Sequence, residues 1–174
     1  LAVILPALPE ALADINRENV AQVREMMSAG PAEAAPTTVQ IKERMIATEA
    51  VEQPDVRVLI YRRESEPSQP CVLWIHGGGY LFGSAEDDRA RGIAEQLDCV
   101  VVSVDYRMAP EAPFPAGTED CYSALLWIVE NADELGVDPT RIAIGGASAG
   151  GGLAAGLALL SRDRGGPKLA MQLL

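Results

Sequence analysis

The sequence predicts an α/β fold in which a mostly parallel sheet is flanked by helices. Two near-continuous apolar runs, at residues 71–75 and 99–104, indicate strands that are buried on both faces. Helical patterns at residues 86–97 and 118–131 alternate with these runs, as expected when crossover helices join parallel strands. A third strand pattern, at residues 142–146, passes through glycines straight into an apolar helix. These three observations predict a sheet that helices cover on both sides.

The first third of the chain carries weaker patterns. Residues 9–30 indicate a helix, because apolar side chains recur on compatible faces and Gly30-Pro31 ends the pattern. Residues 39–47 predict a strand. Side chains alternate over residues 56–61, which predicts a further strand near a sheet edge.

The later helices have recognisable end signals. Asp87 and Asp88 stand where the helix at residues 86–97 needs an N-cap. Gly136 follows the helix at residues 118–131, as a glycine beyond a helix C-terminus often does. We therefore expect the first of these helices to begin close to Asp87 and Asp88, and the second to end before Gly136.

Composition excludes several classes of function. The chain has 174 residues, with Lys+Arg 14 against Asp+Glu 25 and a net charge of −11. Nucleic-acid binding needs clustered cations, so this balance argues against it, and also against attraction to an anionic membrane. The apolar opening is interrupted at Pro6, so we predict no membrane span, and a cytoplasmic location is the default expectation.

The cysteines predict neither disulfides nor metal binding. Cys71, Cys99 and Cys121 are widely spaced and odd in number, which favours buried free thiols. No Cys-x-x-Cys pair or Cys/His cluster suggests zinc. We expect no metal and no cofactor.

The glycines around Ser148 form the most informative motif. Gly146 and Gly150 flank the serine in the pattern Gly-x-Ser-x-Gly, between a strand and a helix, which is the nucleophile elbow of α/β-hydrolases. Side chains at the two glycine positions would crowd so sharp a turn. The pattern favours a catalytic serine over a Gly-rich turn that only shapes the chain.

A serine nucleophile needs a base, and the chain offers one histidine, His76, upstream of Ser148. In α/β-hydrolases the order is serine, acid, histidine. Either His76 has an unusual role or the base lies on polypeptide not shown, and we prefer the second interpretation. Residues 170–174 resemble the start of another strand, so we also expect the sheet to be truncated before its last strands.

A second glycine run, Gly77, Gly78 and Gly79, follows the strand at residues 71–75. Such a loop can point backbone N–H groups into a cavity, and with the N–H of Ala149 it would form an oxyanion hole. The alternative is a turn that merely links strand to helix. We interpret His76 as bracing this loop by hydrogen bonding, not as the general base.

Residues 105–116 contain three closely spaced prolines and predict a stiff loop. Asp105, Arg107 and Glu111 could form an ion-pair network that supports the neighbouring glycine loop. Asp105 could in principle be a catalytic acid, but it precedes the serine, so a structural role is favoured.

Three motifs, in order and at typical spacing, resemble the hormone-sensitive-lipase-like family of bacterial carboxylesterases. They are HGGG from His76, YRMAPEAPFPA from Tyr106 and GASAGG from Gly146. The resemblance implies an α/β-hydrolase fold, Ser148 as nucleophile, and an oxyanion hole from Gly77, Gly78, Gly79 and Ala149. It also implies that residues 1–45 form an N-terminal cap segment and residues 46–174 the N-terminal part of the catalytic domain.

The same resemblance leaves the triad incomplete. Members carry the acid and histidine further along the chain, so neither has a position in this numbering. Ala147 stands where many members have aspartate, which removes a hydrogen-bonding group beside the elbow but leaves the serine in place.

Three functions remain open on the sequence. The first is a carboxylesterase or lipase that hydrolyses short- to medium-chain acyl esters, a small-molecule substrate, through an acyl-enzyme on Ser148. The second is a catalytically incomplete fragment or remnant that only binds. The third uses the same machinery on amides or peptides. These hypotheses allow two protein partners: a second copy of this chain in a homodimer, or a second chain that carries the C-terminal part.

Overall fold

The computed structural model describes residues 15–28, 38–48, 53–63 and 68–174. Six strands and five helices lie in these residues. The strands are β1 (Gln40–Ile46), β2 (Val56–Arg62), β3 (Gln69–Ile75), β4 (Val100–Asp105), β5 (Val137–Gly146) and β6 (Met171–Leu173). The helices are α1 (Val20–Ser28), α2 (Asp88–Gln96), α3 (Ala116–Glu130), α4 (Ala132–Leu135) and α5 (Ala149–Asp163).

The chain divides into two compact units, residues 1–35 and residues 36–174. The described part of the first unit contains α1, which lies inside the helix predicted at residues 9–30. Residues 9–14, 29 and 30 of that prediction fall outside the described residues. The second unit contains every strand of the described residues, including β1, and the assignment of residues 1–45 to a cap stays a prediction.

All six strands join one sheet in the order β1-β2-β4-β3-β5-β6. The pairings among β4, β3, β5 and β6 are parallel, whereas β1 with β2 and β2 with β4 are antiparallel. The predicted mostly parallel sheet is confirmed. β2 lies beside the edge strand β1, in agreement with the predicted position near a sheet edge. All four residues from Val58 to Tyr61 are buried, so the alternation in its sequence does not mark an exposed face.

Helices cover both faces of the sheet, as predicted. Successive residues of β3 point to opposite layers, so Leu73 and Ile75 join the cluster that packs against α3 and α5. Val72 and Trp74 join the second cluster, which packs against α2. The central strands are therefore apolar at consecutive positions because each face has its own core.

The helix ends follow the sequence signals closely. Asp87 is the N-cap of α2, and its side chain accepts a hydrogen bond from the Arg89 N–H at 2.8 Å. Gly136 has φ 63° and ends the short helix α4, which follows α3 directly.

Cys71, Cys99 and Cys121 are free and buried, as expected. None of the helices in the described residues is long and apolar enough to cross a membrane.

One register places two loops side by side. In the parallel pair β3 and β5, Ile75 lies opposite Gly146. Both strands end at these residues, and parallel strands end at the same edge of a sheet. The chain after Ile75 and the chain after Gly146 therefore leave the sheet next to each other.

Candidate active site

Ser148 occupies the turn between β5 and α5. Its backbone has φ 54° and ψ −115°, a conformation that residues other than glycine rarely adopt. The residue is exposed. It is also the N-cap residue of α5, so the first N–H groups of that helix point toward its side of the turn. The serine hydroxyl is thus presented to solvent on a strained turn, beside a helix N-terminus.

The two flanking glycines are required by the packing around this turn. A Cβ atom at Gly146 would lie 2.6 Å from the Ile75 carbonyl oxygen. At Gly150 a Cβ would lie 2.6 Å from the His76 carbonyl oxygen and would overlap that of Ile75. The obstacles are backbone atoms of β3 and its extension and, for Gly146, also the carbonyl group of Gly150 within the turn, so neither glycine can be replaced without distorting the elbow.

Backbone hydrogen bonds fix the elbow against β3. The Ala147 N–H donates to the Ile75 carbonyl at 3.3 Å, and the Gly150 N–H donates to the Ala147 carbonyl at 2.9 Å. The Gly152 N–H donates to the Ser148 carbonyl at 3.2 Å, which begins the helical bonding of α5. Ala149 is the first residue of that helix and is buried, and a first-turn N–H has no acceptor within its own helix.

The glycine loop contacts the elbow directly. A Cβ atom at Gly77 would lie 2.7 Å from the Ala147 carbonyl oxygen and 3.6 Å from the Ser148 Cβ. The next two residues, Gly78 and Gly79, have φ values of 114° and 63°, which glycine adopts without strain. The Gly78 carbonyl then accepts from two following N–H groups in a tight turn. Gly77 therefore lies beside the predicted nucleophile, and Gly78 and Gly79 continue the loop from it.

His76 is held inside the base of this loop. The residue is 2% exposed, and its ring stacks on the Tyr106 ring at a centroid distance of 4.2 Å. The Nδ1 atom lies 2.8 Å from the Gly77 carbonyl oxygen, so the neutral ring donates there. The Tyr106 hydroxyl donates to the His76 carbonyl at 3.1 Å. Burial lowers the pKa of the imidazole, which keeps it neutral and favours a bracing role.

Asp105 and Arg107 have separate partners, in place of the single network expected for them. Asp105 accepts from the Ala85 N–H at 3.2 Å and pairs with Arg57 at 3.1 Å. Since Ala85 follows the glycine loop, Asp105 anchors the far end of that segment. Arg107 instead pairs with Asp120, and Glu111 is exposed.

Asp120 is a supporting residue that the sequence interpretation missed. It is fully buried at the start of α3 and accepts from the Arg107 backbone N–H at 2.8 Å and from the Arg107 Nη2 at 2.8 Å. The Gln53 side chain donates to it at 3.0 Å. The available signal was a carboxylate directly before the apolar positions of a helix. Its bonds fix the loop at residues 105–116, whose Tyr106 stacks on His76.

No cluster of three His, Cys, Asp or Glu side chains suited to a metal ion occurs in residues 15–28, 38–48, 53–63 and 68–174. The chemistry that the described arrangement offers is an exposed hydroxyl beside backbone N–H groups. Donors so placed stabilise an oxygen that gains negative charge when an acyl carbon is attacked.

Comparison with known proteins agrees with this geometry. A family model described as alpha/beta hydrolase fold matches residues 72–174. Carboxylesterase NlhH of Mycobacterium tuberculosis is 41% identical over 100% of this chain, which covers 54% of that protein. Arylesterase of Saccharolobus solfataricus is 36% identical, with coverage of 86% of this chain and 49% of the relative. The chain thus spans about half the length of the curated relatives it matches.

Solved structures show the same similarity. A structure titled Bacterial Heroin Esterase superposes with a TM-score of 0.81 at 38% identity, covering 99% of this chain and 55% of the other. Esterase LipW from Mycobacterium marinum superposes with a TM-score of 0.82 at 36% identity, covering 92% and 52% of the two chains.

Proposed function

Because the chain belongs to the alpha/beta hydrolase fold family, we propose that its protein is a serine carboxylesterase acting through an acyl-enzyme on Ser148. The predicted resemblance to hormone-sensitive-lipase-like carboxylesterases is confirmed by relatives that carry esterase names. The observation that carries the proposal is the contact between two loops. Gly77 lies against Ala147 and Ser148, so the glycine loop and the exposed hydroxyl share one site.

The proposed reaction uses short- to medium-chain acyl esters. The Ser148 hydroxyl attacks the ester carbonyl carbon, and the carbonyl oxygen becomes an oxyanion. The backbone N–H groups of the segment Gly77, Gly78 and Gly79, together with that of Ala149, would stabilise this charge by roughly 3–4 kcal/mol per donor. Release of the alcohol leaves the acyl-enzyme, which water hydrolyses.

The general base is proposed to be a histidine outside residues 1–174, oriented by an acid that is also outside them. His76 is the one histidine of the chain, and it is buried, stacked and bonded to the Gly77 carbonyl. Those contacts support a bracing role for His76 and leave the base to other polypeptide. The relatives are about twice as long as this chain, which accommodates such residues.

Modification by a fluorophosphonate tests the proposal without knowledge of the substrate, and it is carried out on the protein that includes the polypeptide proposed to carry the base. The reagent should label Ser148, identified by peptide mass spectrometry, and Ser148→Ala should abolish labelling. Ser68→Ala is the matched control, because Ser68 is also an exposed serine with a positive φ, 69°, and should change nothing. Labelling that persists in Ser148→Ala overturns the assignment, and absence of labelling in the unmodified protein favours the alternative of a binding remnant.

Two further expectations belong to the same proposal. Three buried free cysteines suit a reducing compartment, which supports a cytoplasmic location. A homodimer is one proposed assembly, and a second chain that supplies the missing triad residues is the other; only the second would complete the site. The mass of the native protein under non-denaturing conditions distinguishes these assemblies from a single chain of 18.5 kDa.

A further inference from the structure

Arg57 lies at the centre of a cluster of three carboxylates. Its guanidinium donates to Glu43 through Nε at 2.8 Å and to Asp105 through Nη1 at 3.1 Å. It also donates to both carboxylate oxygens of Glu86, which is a bidentate arrangement. Glu43, Arg57 and Asp105 belong to the adjacent strands β1, β2 and β4, whereas Glu86 belongs to a loop. Arg57 therefore ties this loop to the sheet.

The loop returns the chain from the glycine loop to the start of α2, and we call residues 83–87 the return segment. Besides the pair that Glu86 makes with Arg57, two hydrogen bonds hold its centre. The Ala85 N–H donates to Asp105 at 3.2 Å, and the Ala85 carbonyl accepts from the Tyr61 hydroxyl at 3.0 Å. Asp105 thus receives bonds from both the return segment and the guanidinium.

The beginning of the return segment lies against the base of the glycine loop. A Cβ atom at Gly83 would lie 2.6 Å from the Gly77 carbonyl oxygen and would overlap the His76 ring. The His76 Nδ1 atom bonds to that same carbonyl at 2.8 Å. Gly77 in turn lies against Ser148. The place of Gly77 beside the serine therefore depends on where the return segment lies.

Removal of the guanidinium would leave three carboxylates around one empty position. Like charges so close repel one another, and Glu86 is the member that lies on a loop and can move away. The side chains of Arg57, Asp105 and Glu86 are 28%, 29% and 56% exposed, and ion pairs with this much exposure contribute little to stability. Their main effect is to fix the position of the loop.

We infer that Arg57 is a positioning residue for the proposed esterase reaction, because it holds the return segment on the sheet and thereby sets the place of Gly77 beside Ser148. The inference rests on the proposed function, since it concerns the N–H donors that would stabilise the oxyanion. Arg57 acts through Glu86 and Asp105 and not on the substrate.

The test compares rates of fluorophosphonate labelling at Ser148, in the protein that includes the polypeptide proposed to carry the base. Arg57→Met keeps an apolar stem without the guanidinium. A misplacement of about 1 Å costs roughly 10²-fold, so the smaller shift expected here should slow labelling about tenfold. Arg57→Lys keeps the charge without the bidentate geometry, so its rate should lie between the two. On a short-chain p-nitrophenyl ester, Arg57→Met should lower kcat by the same factor and leave KM within about twofold, because the donors act on the transition state.

Arg164→Met is the matched control for the loss of an arginine pair. Arg164 also makes a bidentate pair, with Glu119, and its side chain is 40% exposed. It is the C-cap residue of α5, at the opposite end of that helix from Ser148. Urea unfolding measures what each substitution costs in stability, and Arg57→Met alone should slow labelling.

Two carboxylate variants separate the partners of Arg57. Glu86→Gln should slow labelling, because Glu86 lies on the return segment. Glu43→Gln should not, because Glu43 bonds to the same guanidinium from β1. An unchanged rate in Glu86→Gln would overturn the inference, whether or not Arg57→Met folds.

Combination with Gly77→Ala tests the route of the effect. A methyl group at Gly77 displaces the loop by itself, so Arg57→Met should slow labelling far less in that background than alone. The inference is overturned by a folded Arg57→Met protein that labels at the original rate, by equal slowing in Arg164→Met, or by effects that multiply fully with Gly77→Ala. Absence of labelling in the unmodified protein would overturn the proposed function, and this inference with it.

Discussion

Substitution Gly77→Ala should separate the glycine loop from the elbow and slow the modification of Ser148. The added methyl group would lie 2.7 Å from the Ala147 carbonyl oxygen, whereas ordinary contacts begin at 3.4 Å. Since a Cβ atom essentially never lies within 3.0 Å of such an atom, the loop and the elbow must move apart by about 0.3 Å, and by about 0.7 Å to reach an ordinary contact. Misplacement of reacting groups by about 1 Å, or loss of one oxyanion donor, reduces rates by about 10²-fold, so a shift of several tenths of an ångström should slow the reaction by up to about 10²-fold. We expect that reduction in the fluorophosphonate labelling rate.

The same substitution should also destabilise the fold. Insertion of a methyl group into closely packed backbone lowers the free energy of unfolding by about 1–3 kcal/mol. Both effects follow from one contact, so denaturant unfolding and labelling are measured on the same preparation. The protein should remain folded while Ser148 loses reactivity.

Gly79→Ala is the control within the same loop. A Cβ atom at Gly79 would have no neighbour within 4 Å, although φ is 63°. The left-handed conformation should lower stability by about 1–2 kcal/mol without pushing the loop against the elbow. The labelling rate should therefore change far less than in Gly77→Ala. A folded Gly77→Ala protein that labels at the original rate would refute the geometric argument.

Two other predictions concern stability. Arg107→Met removes the charged partner of the fully buried Asp120 and leaves the Gln53 side chain as a donor to it. The free energy of unfolding in urea should fall by about 3 kcal/mol, and a loss below about 1 kcal/mol would contradict the role of this pair. Stability should also fall as the pH drops below 6.5, because burial lowers the pKa of His76 and the unfolded chain then takes up the proton first. A further loss is expected from pH 4.5 toward pH 2, since hydrogen bonding to Arg57 lowers the pKa of Glu86 from 4.5 to about 2. Unfolding curves at a series of pH values, repeated with His76→Gln, measure the first contribution.

The sequence could predict elements whose signal is local and strong. The apolar runs that became β3 and β4 can only be buried, and the glycines around Ser148 leave few structures other than a sharp turn. The signal of β2 is mixed, with Leu59 and Tyr61 at positions that an alternating strand would expose. They are buried because β2 lies between β1 and β4 under helices on both faces, a fact of tertiary packing.

The partners of charged residues could not be predicted in the same way. Asp105 and Arg107 are close in sequence, but β4 carries Asp105 to Arg57 on the neighbouring strand β2. Arg107 has already left the strand and reaches Asp120 at the start of α3. A loop in which acidic and basic residues alternate suggests that these residues pair with one another. The direction of each side chain depends instead on the strand or helix on either side of the loop.

Two segments of the chain leave the sheet side by side at one edge, and this proximity explains why the site depends on glycine. Adjacent strands lie about 4.8 Å apart, so the segments that follow Ile75 and Gly146 leave the sheet with almost no space between them. Gly77, Gly146 and Gly150 each face a backbone atom across this gap, and a methyl group at any of them would overlap it. The sequence reveals that glycines are present but not which atom each one faces. The same crowding that excludes side chains holds the strained backbone of Ser148 in place, and it keeps Gly77 against Ala147 and Ser148.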